Sequence, residues 1–233
     1  MKIALLGYGK MGKLVEVLAL HEGWEVGPKL DVFGNVGGRG ITASAMKGVK
    51  VAIDFSQPDA VLPNVEAAAR LGVNLVVGTT GWMDAIDSVK RVVADFGIGM
   101  VYGANFSLGM NLFWEIVERT SQLMGKLPQY DPFLTEQHHR AKQDSPSGTA
   151  IRLAEIMSSH FSGRTFAIGS TRAGFMPGIH TVGFDSEADT ILLEHRVRNR
   201  QGFAEGAILA AKWIAGKKGL YDFHDVFSQI LGI

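Results

Sequence analysis

The sequence predicts an α/β protein: a Rossmann-type, doubly wound parallel sheet plus a second α+β domain with a mostly open mixed sheet. Three observations predict it. Over the first 124 residues short apolar runs alternate with helical patterns, the signature of a parallel sheet with helices on its faces. The first run leads at once into G-x-G-x-x-G. From about residue 130 the pattern changes to strand-like segments separated by turn residues.

Residues 2–6 read as a buried strand. Gly7, Gly9 and Gly12 form the glycine fingerprint, and Leu14, Val15 and Leu18 mark one face of the helix behind it. Gly7 permits the tight turn, Gly9 lets the backbone approach a pyrophosphate, and Gly12 lets helix and strand pack closely. The helix start offers phosphates unpaired N–H groups and the positive end of a dipole. A second strand at 24–30 ends at Asp31. A carboxylate there suits the adenosine ribose hydroxyls, and a solvated loop acid suits the position equally. No Arg adjoins Asp31 to take a 2′-phosphate, which favours NADH; Lys29 and Arg39 keep NADPH open.

Strand-like runs at 49–56, 73–82 and 98–107 precede helices at 58–71, 83–95 and 109–124. Ligands of such sheets sit past the carboxyl ends of the strands. Phe55-Ser56, Gly78-Thr79-Thr80 and Gly103-Ala104-Asn105-Phe106 lie there. The second domain reads as a strand at 130–139, one helix at 147–160, and strands near 165–174, 178–186 and 189–197. Its exposed sheet face is a candidate oligomer surface. Phe203, Ala207, Ala210, Ala211 and Ile214 form the stripe of a last helix that returns to the nucleotide domain. The expected division is 1–106 with 204–233 for the dinucleotide, and 107–203 for substrate and oligomerisation.

Composition narrows the function. Lys plus Arg and Asp plus Glu are 23 each, so no electrostatic case exists for nucleic acid or an anionic membrane as partner. The chain has no cysteine, hence no disulfide, thiolate nucleophile or Cys-based metal site, and it fits a reducing cytoplasm. No apolar segment reaches the ~20 residues of a membrane helix, and no signal-peptide pattern opens the chain.

The stretch EQHHRAKQDSPSGTA, residues 136–150, concentrates the chemistry. Pro146 suits a first helical turn, with Ser145 as N-cap. The N–H groups of Ser147, Gly148 and Thr149 would then lack helical partners and suit a carboxylate. His138 and Lys142 are four apart and share a face on either a strand or a helix, whereas His139 on a strand points the other way. A His beside a Lys loses proton affinity and serves as a general acid near neutral pH. Two adjacent histidines do not define a metal site, so no metal is expected.

This segment resembles the signature of the 4-hydroxy-tetrahydrodipicolinate reductase (dihydrodipicolinate reductase) family. The similarity continues through GYGKMG at the start, IDFS at 53–56, VGTTG at 77–81, GANFSLGMN at 103–111, and the late IHTVGF, ILLEHR and GFAEGAILAAKW. The resemblance implies His138 as proton donor and Lys142 as catalytic lysine, with His139, Ser147, Gly148 and Thr149 at the substrate. It implies cofactor contacts from Gly7, Tyr8, Gly9, Lys10, Met11 and Gly12, from Gly78, Thr79 and Thr80, and from Gly103, Ala104, Asn105 and Phe106. It further implies NADH or NADPH as reductant of a small dicarboxylate in lysine and diaminopimelate biosynthesis, and a homotetramer. The chain departs from the family in a phosphate loop one residue shorter than in many members, in the missing Arg after Asp31, and in the segment 169–184. The rival readings are another two-domain amino-acid dehydrogenase and a non-catalytic NAD sensor.

Overall fold

The computed structural model describes residues 1–161, 164 and 166–233. In chain order the elements are β1 (Lys2–Leu6), α1 (Lys10–His21), β2 (Glu25–Leu30), β3 (Val51–Asp54), α2 (Val61–Arg70), β4 (Asn74–Val77), α3 (Ile86–Phe96) and β5 (Gly99–Tyr102). Then follow α4 (Leu108–Met124), β6 (Asp131–His138), α5 (Gly148–Ser158), β7 (Ile168–Arg172), β8 (Ile179–Asp185), β9 (Thr190–Arg196), α6 (Gln201–Ile214), β10 (Gly219–Asp222) and α7 (Phe223–Leu231). They fall into two compact units, Met1–Leu108 with Arg200–Ile233, and Gly109–Asn199.

The first unit carries six parallel strands in the order β10-β5-β4-β3-β1-β2. Strands β3 and β4, VAID and NLVV, are buried at every position, as a sheet covered on both faces requires. Period two sorts their side chains. Ile3, Leu5, Val51, Ile53 and Val76 pack with α1, α6 and α7, while Ala4, Leu6, Ala52, Leu75 and Val77 pack with α2 and α3. The returning helix is present as α6. Neither β10 nor α7 was expected: KKGLYD is too interrupted for a strand period, whereas Phe223, Val226, Phe227 and Ile230 carry a helical spacing that was available. Because β2 and β3 flank β1 on opposite sides, the loops leaving β1 and β3 part at the switch point where such folds bind ligands.

The second unit is a four-stranded sheet in the order β7-β6-β8-β9, with β6 parallel to β7 and antiparallel to β8. Two helices cover one face, where one was expected. Met110, Phe113 and Val117 of α4 join Ala150, Leu153 and Met157 of α5 over Leu134, Val182 and Phe184. The apolar stripe of α4 is what the sheet lacked. The expected strand at 165–174 is shorter, Ile168–Arg172, and its first residue, Thr165, lies outside the described residues. No helix among the described residues is long and apolar enough to cross a membrane.

Candidate active site

At the switch point the glycine loop meets the end of β3. Gly7 has φ +84°, and a Cβ there would run into the Phe55 carbonyl, so only glycine lets the two loops approach so closely. The Gly7 N–H donates to the Leu30 carbonyl at 2.8 Å, which brings the end of β2 alongside. A Cβ on Gly9 would meet nothing within 4 Å, so the start of α1 faces open space, with no side chain capping it. The result is a cleft of ≈ 560 Å³ lined by Gly7, Tyr8, Gly9, Asp31, Ser56 and Asn64, among others. A bare helix start, a glycine cradle and an acid at the end of β2 fit a nicotinamide dinucleotide.

The cleft floor rests on a buried network. Asp54 accepts from the Ser56 N–H at 2.8 Å, from Thr79 Oγ1 at 3.0 Å and from Asn64 Nδ2 at 2.8 Å; Asn64 in turn accepts from Asn35 at 2.7 Å. Thr79 is therefore buried and its hydroxyl is used internally. Thr80 is exposed, and Gly78 is closed over by the Phe55 ring. Gly103 lies against Phe223 and Phe106, Ala104 is exposed, and Asn105 accepts from the Ser107 N–H at 2.9 Å. The Phe106 ring stacks on Phe223 at 4.4 Å in the core, which leaves only its backbone for a ligand. Asp31 turns one oxygen to the N–H groups of Phe33 and Gly34, at 3.0 and 2.8 Å. Tyr8 donates to Glu16, which also takes Lys29 Nζ at 2.9 Å. Lys10 is exposed and Met11 half-buried at the start of α1, and Gly12 packs against the Gly7 carbonyl.

In the second unit β6 alternates buried and half-buried residues and ends at His138. His138 Nδ1 meets Glu136 Oε2, and the other Glu136 oxygen takes Arg172 Nη2 at 2.6 Å. The His180 ring stands edge-on to His138 at 5.2 Å, with its Nε2 3.2 Å from Ser147 Oγ. Burial lowers the His138 proton affinity; Glu136 opposes that, and the charges of Lys142 and Arg172 add to it. Burial works to raise Glu136, but Arg172, Ser170 and His138 outweigh it and bring the carboxyl down to about 2. Burial, with repulsion from His138, takes His180 to about 4.

Two local expectations are corrected. Lys142 shares neither strand nor helix with His138, because β6 ends at His138 and Lys142 sits beyond a turn, its N–H on the His139 carbonyl at 3.1 Å. Its charge still reaches His138, but burial is the larger influence. The N-cap of α5 is Ser147, not Ser145: Ser147 Oγ accepts from the Ala150 N–H at 3.2 Å, and Pro146 stands outside the helix after a cis peptide bond. The Ser147 N–H points to Glu136 Oε1 at 3.4 Å, leaving Gly148 and Thr149 as the outward start of the helix. There Lys142 Nζ holds the Asp144 carboxylate at 2.7 Å; Lys142, and more weakly the Gly148 N–H, keep that carboxyl low. The His139 N–H donates to the Met176 carbonyl at 2.8 Å. Replacing Ser147 by alanine is expected to cost about 0.5–2 kcal/mol through the lost cap, read as a lower urea midpoint.

Glu136, Arg172 and His180 were not singled out from the sequence. The spacing of Glu136 and His138 places both on one strand face, a signal that was available. Arg172 and His180 enter only through pairing, opposite His138 and Glu136 respectively.

The chain is similar to known proteins over nearly its whole length. The family model described as dihydrodipicolinate reductase, N-terminus, matches residues 1–106, and its C-terminus counterpart matches 109–227. A curated 4-hydroxy-tetrahydrodipicolinate reductase from Christiangramia forsetii is 34% identical over 99% of each chain. One from Archaeoglobus fulgidus is 36% identical over 97% of this chain and 99% of its own. Among solved structures, a dipicolinate-bound dihydrodipicolinate reductase from Paenisporosarcina sp. TG-14 shares the fold with a TM-score of 0.78 at 19% identity, covering 97% of this chain and 99% of that one.

Proposed function

The chain belongs to the dihydrodipicolinate reductase family, and on that premise we propose that His138 protonates the substrate while Lys142 and the start of α5 hold it. The reaction is the nicotinamide-dependent reduction of 4-hydroxy-tetrahydrodipicolinate in lysine and diaminopimelate biosynthesis. The cofactor, when bound, supplies the hydride for C4 of the unsaturated ring left by loss of water. The chain supplies the proton for the neighbouring carbon and the charges that hold a small dicarboxylate. The observation that carries this reading is the buried His138 imidazole set against a carboxylate at the end of β6, with a lysine charge in reach. A carboxylate, Asp144, resting 2.7 Å from Lys142 beside the start of α5 supports a substrate carboxylate there, with His139, Ser147, Gly148 and Thr149 around it. The test is oxidation of NADH and NADPH with freshly made dihydrodipicolinate synthase product. Turnover no higher than that of the double variant H138A/K142A would sink the proposal.

NADH is the assigned cofactor, held at Gly7 to Gly12, Asp31 and the ends of β4 and β5. Lys29 is engaged by Glu16, and the Asp31 charge at the cleft disfavours a 2′-phosphate. Replacing Asp31 by alanine is expected to raise the NADH KM about tenfold, the worth of one hydrogen bond to a charged group, and the NADPH KM far less. Equal KM values in the variant and the parent would leave Asp31 as a plain loop acid. No metal is assigned: both Glu136 oxygens are engaged, by His138 and Arg172. Turnover unchanged by EDTA is expected. The uncovered sheet face of the second unit, where Leu192 is exposed and Thr135 and Gln137 half-exposed, supports a homo-oligomer, a tetramer by family likeness. A monomer in light scattering would overturn that assignment. The cytoplasm suits a chain without cysteine.

A further inference from the structure

We infer that Glu136, clamped by Arg172, is the positioning residue of the proton donor: it holds the Nδ1–H of His138 and leaves Nε2 as the nitrogen that gives up the proton. The inference rests on the assignment of His138 made above.

Register and chemistry carry it. Glu136 and His138 are alternate residues of β6 on its buried face, and Glu136 Oε2 meets Nδ1. An ionised carboxylate only accepts hydrogen bonds, so the hydrogen in that contact belongs to Nδ1. Glu136 is not free to turn away. Its second oxygen accepts from Arg172 Nη2 at 2.6 Å, and the same Arg172 nitrogen reaches the Asp144 carbonyl at 2.6 Å. Arg172 itself stands opposite His138 in the β6–β7 pairing, so the clamp is built from backbone register.

The other face of the imidazole is shaped as well. A Cβ built on Gly178, whose φ is +153°, would stand 3.0 Å from His138 Nε2. The missing side chain keeps that nitrogen approachable. The His180 ring of β8 stands edge-on to His138, with Ser147 Oγ on its own Nε2; the charge of Lys142 reaches His138, and that of His195 of β9 reaches His180. Burial and the charges of Lys142 and Arg172 disfavour the imidazolium, and Glu136 is the group that favours it. In the proton-transfer step the Nε2–H bond breaks and its electron pair stays on Nε2. The proton forms the new C–H bond of the substrate, and Nδ1–H stays with Glu136 throughout.

Two measurements test this. In the whole wild-type chain with 15N-labelled histidine, imidazole NMR should find the neutral His138 ring protonated at Nδ1 and bare at Nε2. Hydrogen on Nε2 instead overturns the inference, whatever any variant does. In E136Q, kcat is expected to fall on the order of 10²-fold, the lower range of what a placed general acid contributes. Its alkaline limb should also move to lower pH, because the charge that favoured the imidazolium is gone, a shift that loss of packing alone would not produce. An unchanged kcat with an unmoved limb overturns the inference. H138A separates the two readings: full activity in H138A removes the donor assignment itself, whereas an inactive H138A beside an Nε2–H ring removes only the role of Glu136.

Discussion

Replacement of His138 by alanine is expected to lower kcat by about 10²–10⁴-fold with a much smaller change in KM, the range a positioned general acid contributes. The physical reason is that the interaction lost belongs to the transition state, where the proton moves, more than to substrate binding. The pH profile carries an independent sign. Burial lowers the proton affinity of His138, so the donor is charged only below a midpoint under the ordinary histidine value. The wild-type kcat should therefore rise as the pH falls through that midpoint, and the variant should lose this rise. A variant that keeps both the rate and the limb would show that another group delivers the proton. The measurement is steady-state kinetics across pH with substrate and NADH saturating.

Replacement of Gly7 by valine is expected to cost about 2–5 kcal/mol of stability. About 1–2 kcal/mol comes from forcing a branched residue to φ +84°, and about 1–3 kcal/mol from overpacking against the Phe55 carbonyl. The carbonyl has little room to yield, because the Phe55 N–H is fixed to the Leu6 carbonyl at 2.8 Å and the Ser56 N–H to Asp54. At about 2–4 °C per kcal/mol for a chain of this size, the melting temperature should drop by roughly 4–20 °C. The same displacement moves the start of α1, so NADH binding followed by fluorescence titration should weaken in the folded fraction. A melting temperature within a degree of the parent would mean that the loops after β1 and β3 do not meet as closely as described.

Much of this protein was legible from local spacing. The continuous apolar runs at β1, β3, β4 and β5, buried on both faces, and the one-sided helical stripe of α6 were strong signals, because burial is the dominant favourable term in folding. The glycine fingerprint was legible because a positive φ and a close backbone approach are demands that only glycine meets. Where several residues suit one role, spacing decided less. SPSGT contains two serines able to cap, and Ser147 won because its hydroxyl reaches both the Ala150 N–H and His180. β10 is four residues long and owes its place to pairing with the distant β5, so no local period marks it; α7 does carry a helical stripe, Phe223, Val226, Phe227 and Ile230, that spacing alone could have found.

The sequence by itself determined the α/β class, the cofactor-type loop, the family, and His138 and Lys142 as candidates, since each depends on residue type and spacing within a short window. The tertiary structure alone decided which groups share the His138 site. Glu136 stood within that window, but Arg172 and His180 come from strands 34 and 42 positions further along, counted from His138, and arrive by the pairing of β7 and β8 with β6. Strand pairing is a long-range choice made by core packing and hydrogen-bond register, and no local pattern records it.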